Sequence, residues 1–266
     1  MKRIGLIAGS GQFPVIFSGA AKDKGFEVYA VAHVGETDPL LESLVEEMKW
    51  VKIGQLKNLI SFFERHGVCD AVMAGAITKT RAFSSVRPDL QALKLLATMA
   101  HIQDDSLLRA FARELEKTGI TIHAPTFLLP ELLALKGTWT RRKPSKSEMA
   151  DVDFGWEIVK EIGRLDIGQT VVVRDRSVMA VEAIDGTDAT IKRGGELGRE
   201  KTVVVKASKP NQDMRFDLPA IGVKTIQGMA DVRASVLAVE AGRTVVFDKE
   251  DMVALANQKR IVIMAV

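Results

Sequence analysis

Residues 3–14 read RIGLIAGSGQFP, and this stretch decides the fold. A short apolar run over 4–8 breaks into Gly9-Ser10-Gly11, and Pro14 then stands where a first helical turn would begin. Strand, tight turn and helix in that order make a βα unit, because Pro at the start of a helix gives up an N–H that has no partner there anyway. The apolar run is too short for a signal peptide, and no window of the chain approaches the length of a membrane-spanning helix, so a soluble cytoplasmic protein is expected.

Outward from this unit the alternation continues. The pattern predicts further strands over 27–33, 50–53, 71–74 and 120–123, with helices over 14–24, 39–48, 56–66, 89–99, 104–117 and 127–135. Alternating strands and helices imply a parallel sheet wound in both directions, so residues 1–137 are expected to form a Rossmann-like, doubly wound α/β domain. The composition then shifts: 137–150, GTWTRRKPSKSEMA, combines Gly, Pro, Ser and Thr with positive charge and has no periodicity. It reads as a basic linker over 138–150. A second α/β domain is expected over 151–266, with helices over 152–165, 188–194, 226–232 and 249–258 and strands over 170–174, 178–183, 203–207, 236–239, 244–247 and 261–265.

Composition narrows the function classes. The 266 residues are 47% hydrophobic with a formal charge of only +3, enough for a substantial core and far from a disordered chain. The single Cys69 rules out an internal disulfide and a multi-cysteine zinc site. Only 6% of residues are aromatic and no nucleic-acid-binding motif is present, so no DNA or RNA partner is expected. His33, His66, His101 and His123 are scattered without metal-ligand spacing and read as loop or packing residues.

Candidate chemistry sits in the loops. Ser10, Gly11 and Gln12 offer backbone N–H groups and a helix N-terminus to an anion, though a purely structural turn reads the same way. The dinucleotide fingerprint is absent, since Pro14 takes the place of its third glycine and the second strand ends Val31-Ala32-His33 without an acid. Gly75, Thr78, Lys79 and Arg81 follow the 71–74 strand and would lie on the same rim, as phosphate contacts or as a turn with exposed cations. Asp104 and Asp105 suit a helix start. The densest set is in the second half, where Glu182, Asp185, Thr187 and Asp188 precede Lys206, Lys209, Asp213, Arg215 and Asp217. Carboxylates interleaved with cations suit a divalent ion and a phosphate, and they also suit a charge-balanced surface loop.

Four segments in the same order carry a resemblance: IGLIAGSGQFP over 4–14, HIQDDSLLR over 101–109, VEAIDGTDATIKRGG over 181–195 and KPNQDMRFDLPAIG over 209–222. Together they resemble the LpxI type of UDP-2,3-diacylglucosamine pyrophosphatase along essentially the whole chain. The resemblance implies an enzyme of lipid A biosynthesis at the inner face of the inner membrane. It implies that water attacks the uridine-side phosphorus of UDP-2,3-diacylglucosamine and releases UMP and 2,3-diacylglucosamine 1-phosphate, lipid X. A divalent ion, magnesium with manganese as an alternative, is implied as cofactor, together with two domains holding the substrate, transient contact with the membrane surface and self-association into a homodimer. Asp217 matches the family's essential metal-binding carboxylate and Asp213 a second acidic position. Thr187 and Asp188 match substrate or metal contacts, and Ser10, Gly11 and Gln12 the nucleotide side. Lys206 or Arg215 is then expected to stabilise developing phosphate charge. The competing readings are a nucleotide- or UDP-sugar-binding regulatory protein without catalysis and a nicotinamide oxidoreductase, the latter disfavoured by the missing fingerprint.

Overall fold

The computed structural model describes residues 2–77, 88–97, 104–210, 212–216 and 218–266. Its contacts divide the chain into two units, the first made of 1–130 with 213–216 and the second of 131–212 with 217–266.

The first unit holds strands β1 Lys2–Ala8, β2 Phe26–His33, β3 Glu47–Val51, β4 Asp70–Ala74 and β5 Thr121–His123, with helices α1 Phe13–Asp23, α2 Leu56–Arg65, α3 Leu90–Ala97 and α4 Asp104–Glu116. Every pairing in its sheet is parallel and the order is β3-β2-β1-β4-β5, the doubly wound arrangement. After β3 the chain returns to the centre and lays β4 against β1, so the winding reverses between these two strands. Helix α2 buries Leu59, Ile60, Phe62 and Phe63 against this sheet, a stripe at the spacing of one helical face.

Two expected helices are absent for physical reasons. The stretch expected as a helix over 39–48 forms only a short 3-10 turn, Pro39–Leu44, capped by Asp38, whose carboxylate accepts from the Leu40 N–H at 2.9 Å. Residues 47–51 join the sheet instead, because pairing against Tyr29 to His33 satisfies a whole row of backbone groups. The helix expected over 127–135 is replaced by two 3-10 turns, Pro125–Leu128 and Pro130–Leu132, since Pro130 cannot continue a helical ladder.

The second unit has strands β6 Gly137–Thr138, β7 Thr170–Arg174, β8 Ser177–Val181, β9 Val203–Lys206, β10 Ala220–Ile221, β11 Val236–Val239, β12 Val245–Val246 and β13 Val262–Ala265. Its helices are α5 Lys146–Arg164, α6 Gly186–Gly198, α7 Val223–Asp231 and α8 Lys249–Gln258. The main sheet runs β6-β13-β11-β9-β7-β8, with β13, β11 and β9 parallel and the outer pairings antiparallel, while β10 and β12 form a separate parallel pair. Valine runs such as Val203-Val204-Val205 have no polar alternation because both faces are covered. Val203 and Val205 pack with Val152 and Val159 of α5, and Val204 packs with Ile191 of α6 and Met229 of α7.

The division falls between Pro130 and Glu131, and the basic stretch expected to be a linker is part of the second unit. Gly137 and Thr138 pair with Ala265 and Met264, and α5 starts at Lys146, earlier than expected, behind a capping box of Ser145 and Glu148. The Arg142 guanidinium forks onto both oxygens of Glu148 at 2.8 and 3.0 Å and also donates to the Ser235 and Arg260 carbonyls. Burial alone would raise the Glu148 pKa, but Arg142, the Ser145 N–H and the Ser235 hydroxyl outweigh it and hold the carboxyl at about 2. Positive charge that reads as linker composition is thus a fastening.

Candidate functional site

In the first unit the relevant geometry is made by backbone at the reversal between β1 and β4. The Gly9 N–H donates to the Ala74 carbonyl at 2.8 Å, and Ser10 and Ala76 exchange N–H···O bonds of 2.8 and 3.1 Å, so the loops after the two strands are stitched together. This closeness requires glycine. A Cβ on Gly9 would lie 2.5 Å from the Ala76 carbonyl oxygen, and one on Gly75, at φ +88°, would lie 2.5 Å from that of Ser10. Ser10 Oγ donates to the Ala76 carbonyl at 2.9 Å, so its hydroxyl serves the stitch. Gly11, at φ +90°, is exposed beside Gln12, which leads into α1.

Two residues outside the expected set brace this loop. The Ala8 carbonyl accepts from Thr37 Oγ1 at 2.7 Å and from His33 Nδ1 at 3.0 Å. Burial pushes the His33 imidazole down in pKa, against the opposing influences of the Ala8 carbonyl and Glu36. Because a carbonyl can only accept, the His33 proton resides on Nδ1. The sequence signal was available: a polar residue closing the strand beside the glycine loop.

The segment 213–216, expected within the second domain, belongs to the first unit. Phe216 packs against that unit's core, and Arg215 lies over its ring with the guanidinium carbon 5.0 Å from the centroid. Arg215 reaches Glu116 of α4 at 2.8 Å and grips Asp213 through Nε and Nη2 at 3.0 and 2.9 Å. The Arg215 hydrogen bonds lower the Asp213 pKa against the opposing effect of burial. Both Asp213 oxygens are therefore occupied by a cation. Asp217, Thr78 and Lys79 lie outside the described residues, as do Arg81 and His101.

In the second unit the geometry is made by side chains at the carboxyl ends of β9 and β11, the rim where open α/β sheets take ligands. Lys206 is buried, and its ammonium donates to Thr187 Oγ1 at 3.0 Å. Thr187 in turn donates to Glu182 Oε1 at 3.0 Å. Two residues after Lys206, Ser208 donates through its N–H and hydroxyl to Glu240 Oε2 at 2.8 and 2.5 Å, while Lys160 of α5 holds Glu240 Oε1 at 2.7 Å. Burial would raise the Glu240 pKa, yet Lys160 and Ser208 bring it below the usual carboxylate value. Lys160 and Glu240 escaped sequence reading because they are 80 residues apart and one lies mid-helix.

Thr187 and Asp188, neighbours in the sequence, part company. Thr187 joins Lys206, whereas Asp188 is exposed and lines a surface cavity with Lys192, Glu196, Arg199 and Asp231. A divalent ion would need oxygen ligands. Among the described residues no group of three or more His, Cys, Asp or Glu is placed to hold an ion. With Asp213 committed to Arg215, the described carboxylates do not by themselves fit one.

Residues 3–132 match the LpxI N-terminal domain and residues 135–264 the LpxI C-terminal domain. The chain is also 35% identical to the UDP-2,3-diacylglucosamine pyrophosphatase LpxI of Caulobacter vibrioides, over all of this chain and 98% of that relative. The chain belongs to the LpxI family. The boundary between the two LpxI domains, at 132–135, coincides with the structural division near 130 and lies upstream of the basic stretch. Among solved structures, a biotin carboxylase domain of a single-chain bacterial carboxylase is 14% identical, with a TM-score of 0.29 over 56% of this chain and 33% of that one. The N5-carboxyaminoimidazole ribonucleotide synthetase of Thermotoga maritima is 15% identical, with a TM-score of 0.27 over 68% of this chain and 41% of that one. Likenesses this low carry no argument, and the LpxI assignment rests on the matches along the chain.

Proposed function

We propose that this protein hydrolyses the pyrophosphate bond of UDP-2,3-diacylglucosamine in lipid A synthesis, releasing UMP and 2,3-diacylglucosamine 1-phosphate. The observation that carries the reading is the 35% identity to a UDP-2,3-diacylglucosamine pyrophosphatase over the entire chain. The geometry supports it through a buried lysine held at a strand end.

A pyrophosphate resists water because its oxygens repel an oxygen nucleophile, and cations that meet the spreading charge lower that barrier. Lys206 is suited to this, since a charge acts more strongly where water is excluded. In the proposed reaction water adds to the uridine-side phosphorus, the bridging P–O bond breaks, the bridging oxygen leaves on the lipid phosphate and the water oxygen stays on UMP. Lys206 faces the charge that develops. The loop at Gly11 and Gln12, held in place by the stitch at Gly9–Ser10 and Gly75–Ala76, is assigned to the uridine diphosphate. Arg215 orders the segment leading to Asp217 by holding Asp213 and Glu116.

We further propose magnesium, with manganese as a substitute, held by substrate phosphate oxygens and Asp217, and reversible contact with an anionic membrane surface through the lipid substrate. Purified protein should release UMP from the lipid nucleotide and stop on chelation. Asp217→Asn should fold normally by circular dichroism and lose roughly 100-fold or more in rate. Tight UDP-sugar binding with no UMP release would replace the enzyme by a nucleotide-binding regulator.

A further inference from the structure

Glu182 follows directly on β8, its N–H donating to the Thr170 carbonyl at 2.9 Å, and the residue is only 8% exposed. Its two carboxylate oxygens have different surroundings. Oε1 accepts from Thr187 Oγ1 at 3.0 Å, and the same Thr187 oxygen accepts from the Lys206 ammonium at 3.0 Å. Oε2 is buried and has no hydrogen-bond partner among the described residues.

The direction of the chain follows from elementary bookkeeping of protons. An ammonium can only donate and a carboxylate can only accept, so the single hydroxyl proton of Thr187 points at Glu182 and its lone pair at Lys206. Thr170 Oγ1, 3.5 Å from Thr187 Oγ1, is the more distant neighbour. Remove Glu182 and that proton is released to turn towards other acceptors, which takes the fixed lone pair away from Lys206.

Glu182 Oε2 has no donor among the described residues, so the fixed contact of this carboxylate is the one through Thr187, which sets the acid one hydroxyl away from a buried lysine.

We infer that Glu182 is a positioning residue for Lys206, acting through the Thr187 hydroxyl to aim the ammonium at the reacting phosphate. The inference rests on the proposed pyrophosphate hydrolysis for its kinetic consequence, but the positioning itself is a structural statement that can be tested without any reaction.

The decisive experiment pairs crystal structures with kinetics of Glu182→Ala, Glu182→Gln, Thr187→Val and Thr187→Ser in the full-length protein, each checked for a native melting transition. In Glu182→Ala the Lys206 ammonium should leave Thr187, and kcat for UMP release should fall roughly 30- to 100-fold with KM changed less than about threefold. Thr187→Val should do the same, and Thr187→Ser, which keeps the hydroxyl, should recover to within about threefold. The Glu182→Ala/Thr187→Val double variant should be no slower than the slower single one, because both cut one path. Should Glu182→Ala fail to fold, Glu182→Gln and the Thr187 pair carry the test, with Gln retaining an oxygen for the Thr187 proton and most of the rate. Additive losses, or Lys206 unmoved on Thr187 in the Ala variant, would overturn the inference. If wild type releases no UMP while Lys206 still shifts in the variant structure, the reaction is wrong and the positioning stands.

Discussion

The two units build the ends of their central strands by different means. In the first, backbone brings the loops after β1 and β4 together, with the Gly9, Ser10 and Ala76 N–H groups spent on the stitch and Gly9 and Gly75 leaving no room for a Cβ. In the second, the corresponding strand ends carry side chains, the Lys206–Thr187–Glu182 chain and the Lys160–Glu240–Ser208 cluster. A backbone cradle is sensitive to volume and indifferent to most side chains. A side-chain network is sensitive to charge and to a single hydroxyl.

That contrast can be broken most severely at Lys206. Lys206→Met keeps the stem and removes the charge, so UMP release should fall about 100- to 1,000-fold, with some loss of melting temperature because Glu182 is left as a buried acid without its cation. Activity close to wild type in a rate assay would mean that the charge of the second unit is structural. Next in size is Gly75→Ala. Its methyl would meet the Ser10 carbonyl oxygen at 2.5 Å from a φ of +88°, so the stitch should open. Calorimetry with UDP should show affinity down at least about tenfold, with stability down by about 1–3 kcal/mol from the strained conformation. Unchanged binding would remove the backbone cradle from the comparison.

The smallest effect expected lies at the Arg142–Glu148 fastening. The Glu148 carboxyl is held at about 2, below its ordinary value of 4.5, so its contribution is complete above pH 4.5 and is lost as pH falls towards 2. Glu148→Gln should therefore be less stable at neutral pH by about 1–2 kcal/mol after solvent screening, and should lose less on acidification than wild type. Parallel acid-melting curves for the two proteins would show the fork to be idle.

Much of the first unit was legible in its residues. Most strands and helices and the doubly wound class follow from hydrophobic period and from prolines at helix starts, since each strand pairs with like neighbours through uniform backbone bonds. The places that resisted reading are those where a remote partner decides. Residues 47 and 48 look like the end of a helix until β2 offers them a ladder. Arg142 looks like linker charge until Glu148, Ser235 and Arg260 converge on it. Phe216 looks like one apolar residue in a charged loop, yet it packs in the core of the first unit and takes Arg215 and Asp213 with it.

By itself the sequence determined the doubly wound first half, the presence of a second α/β half and the family, because local period and ordered motifs survive without knowledge of contacts. Only the tertiary structure decided that Asp213 answers to Arg215, that Thr187 and Asp188 face different surroundings, and that Glu182 stands behind Lys206. Each of these depends on which hydrogen-bond donors and acceptors meet across tens of residues, and burial makes such meetings obligatory: a polar group withdrawn from water must find a partner, and the fold chooses which one.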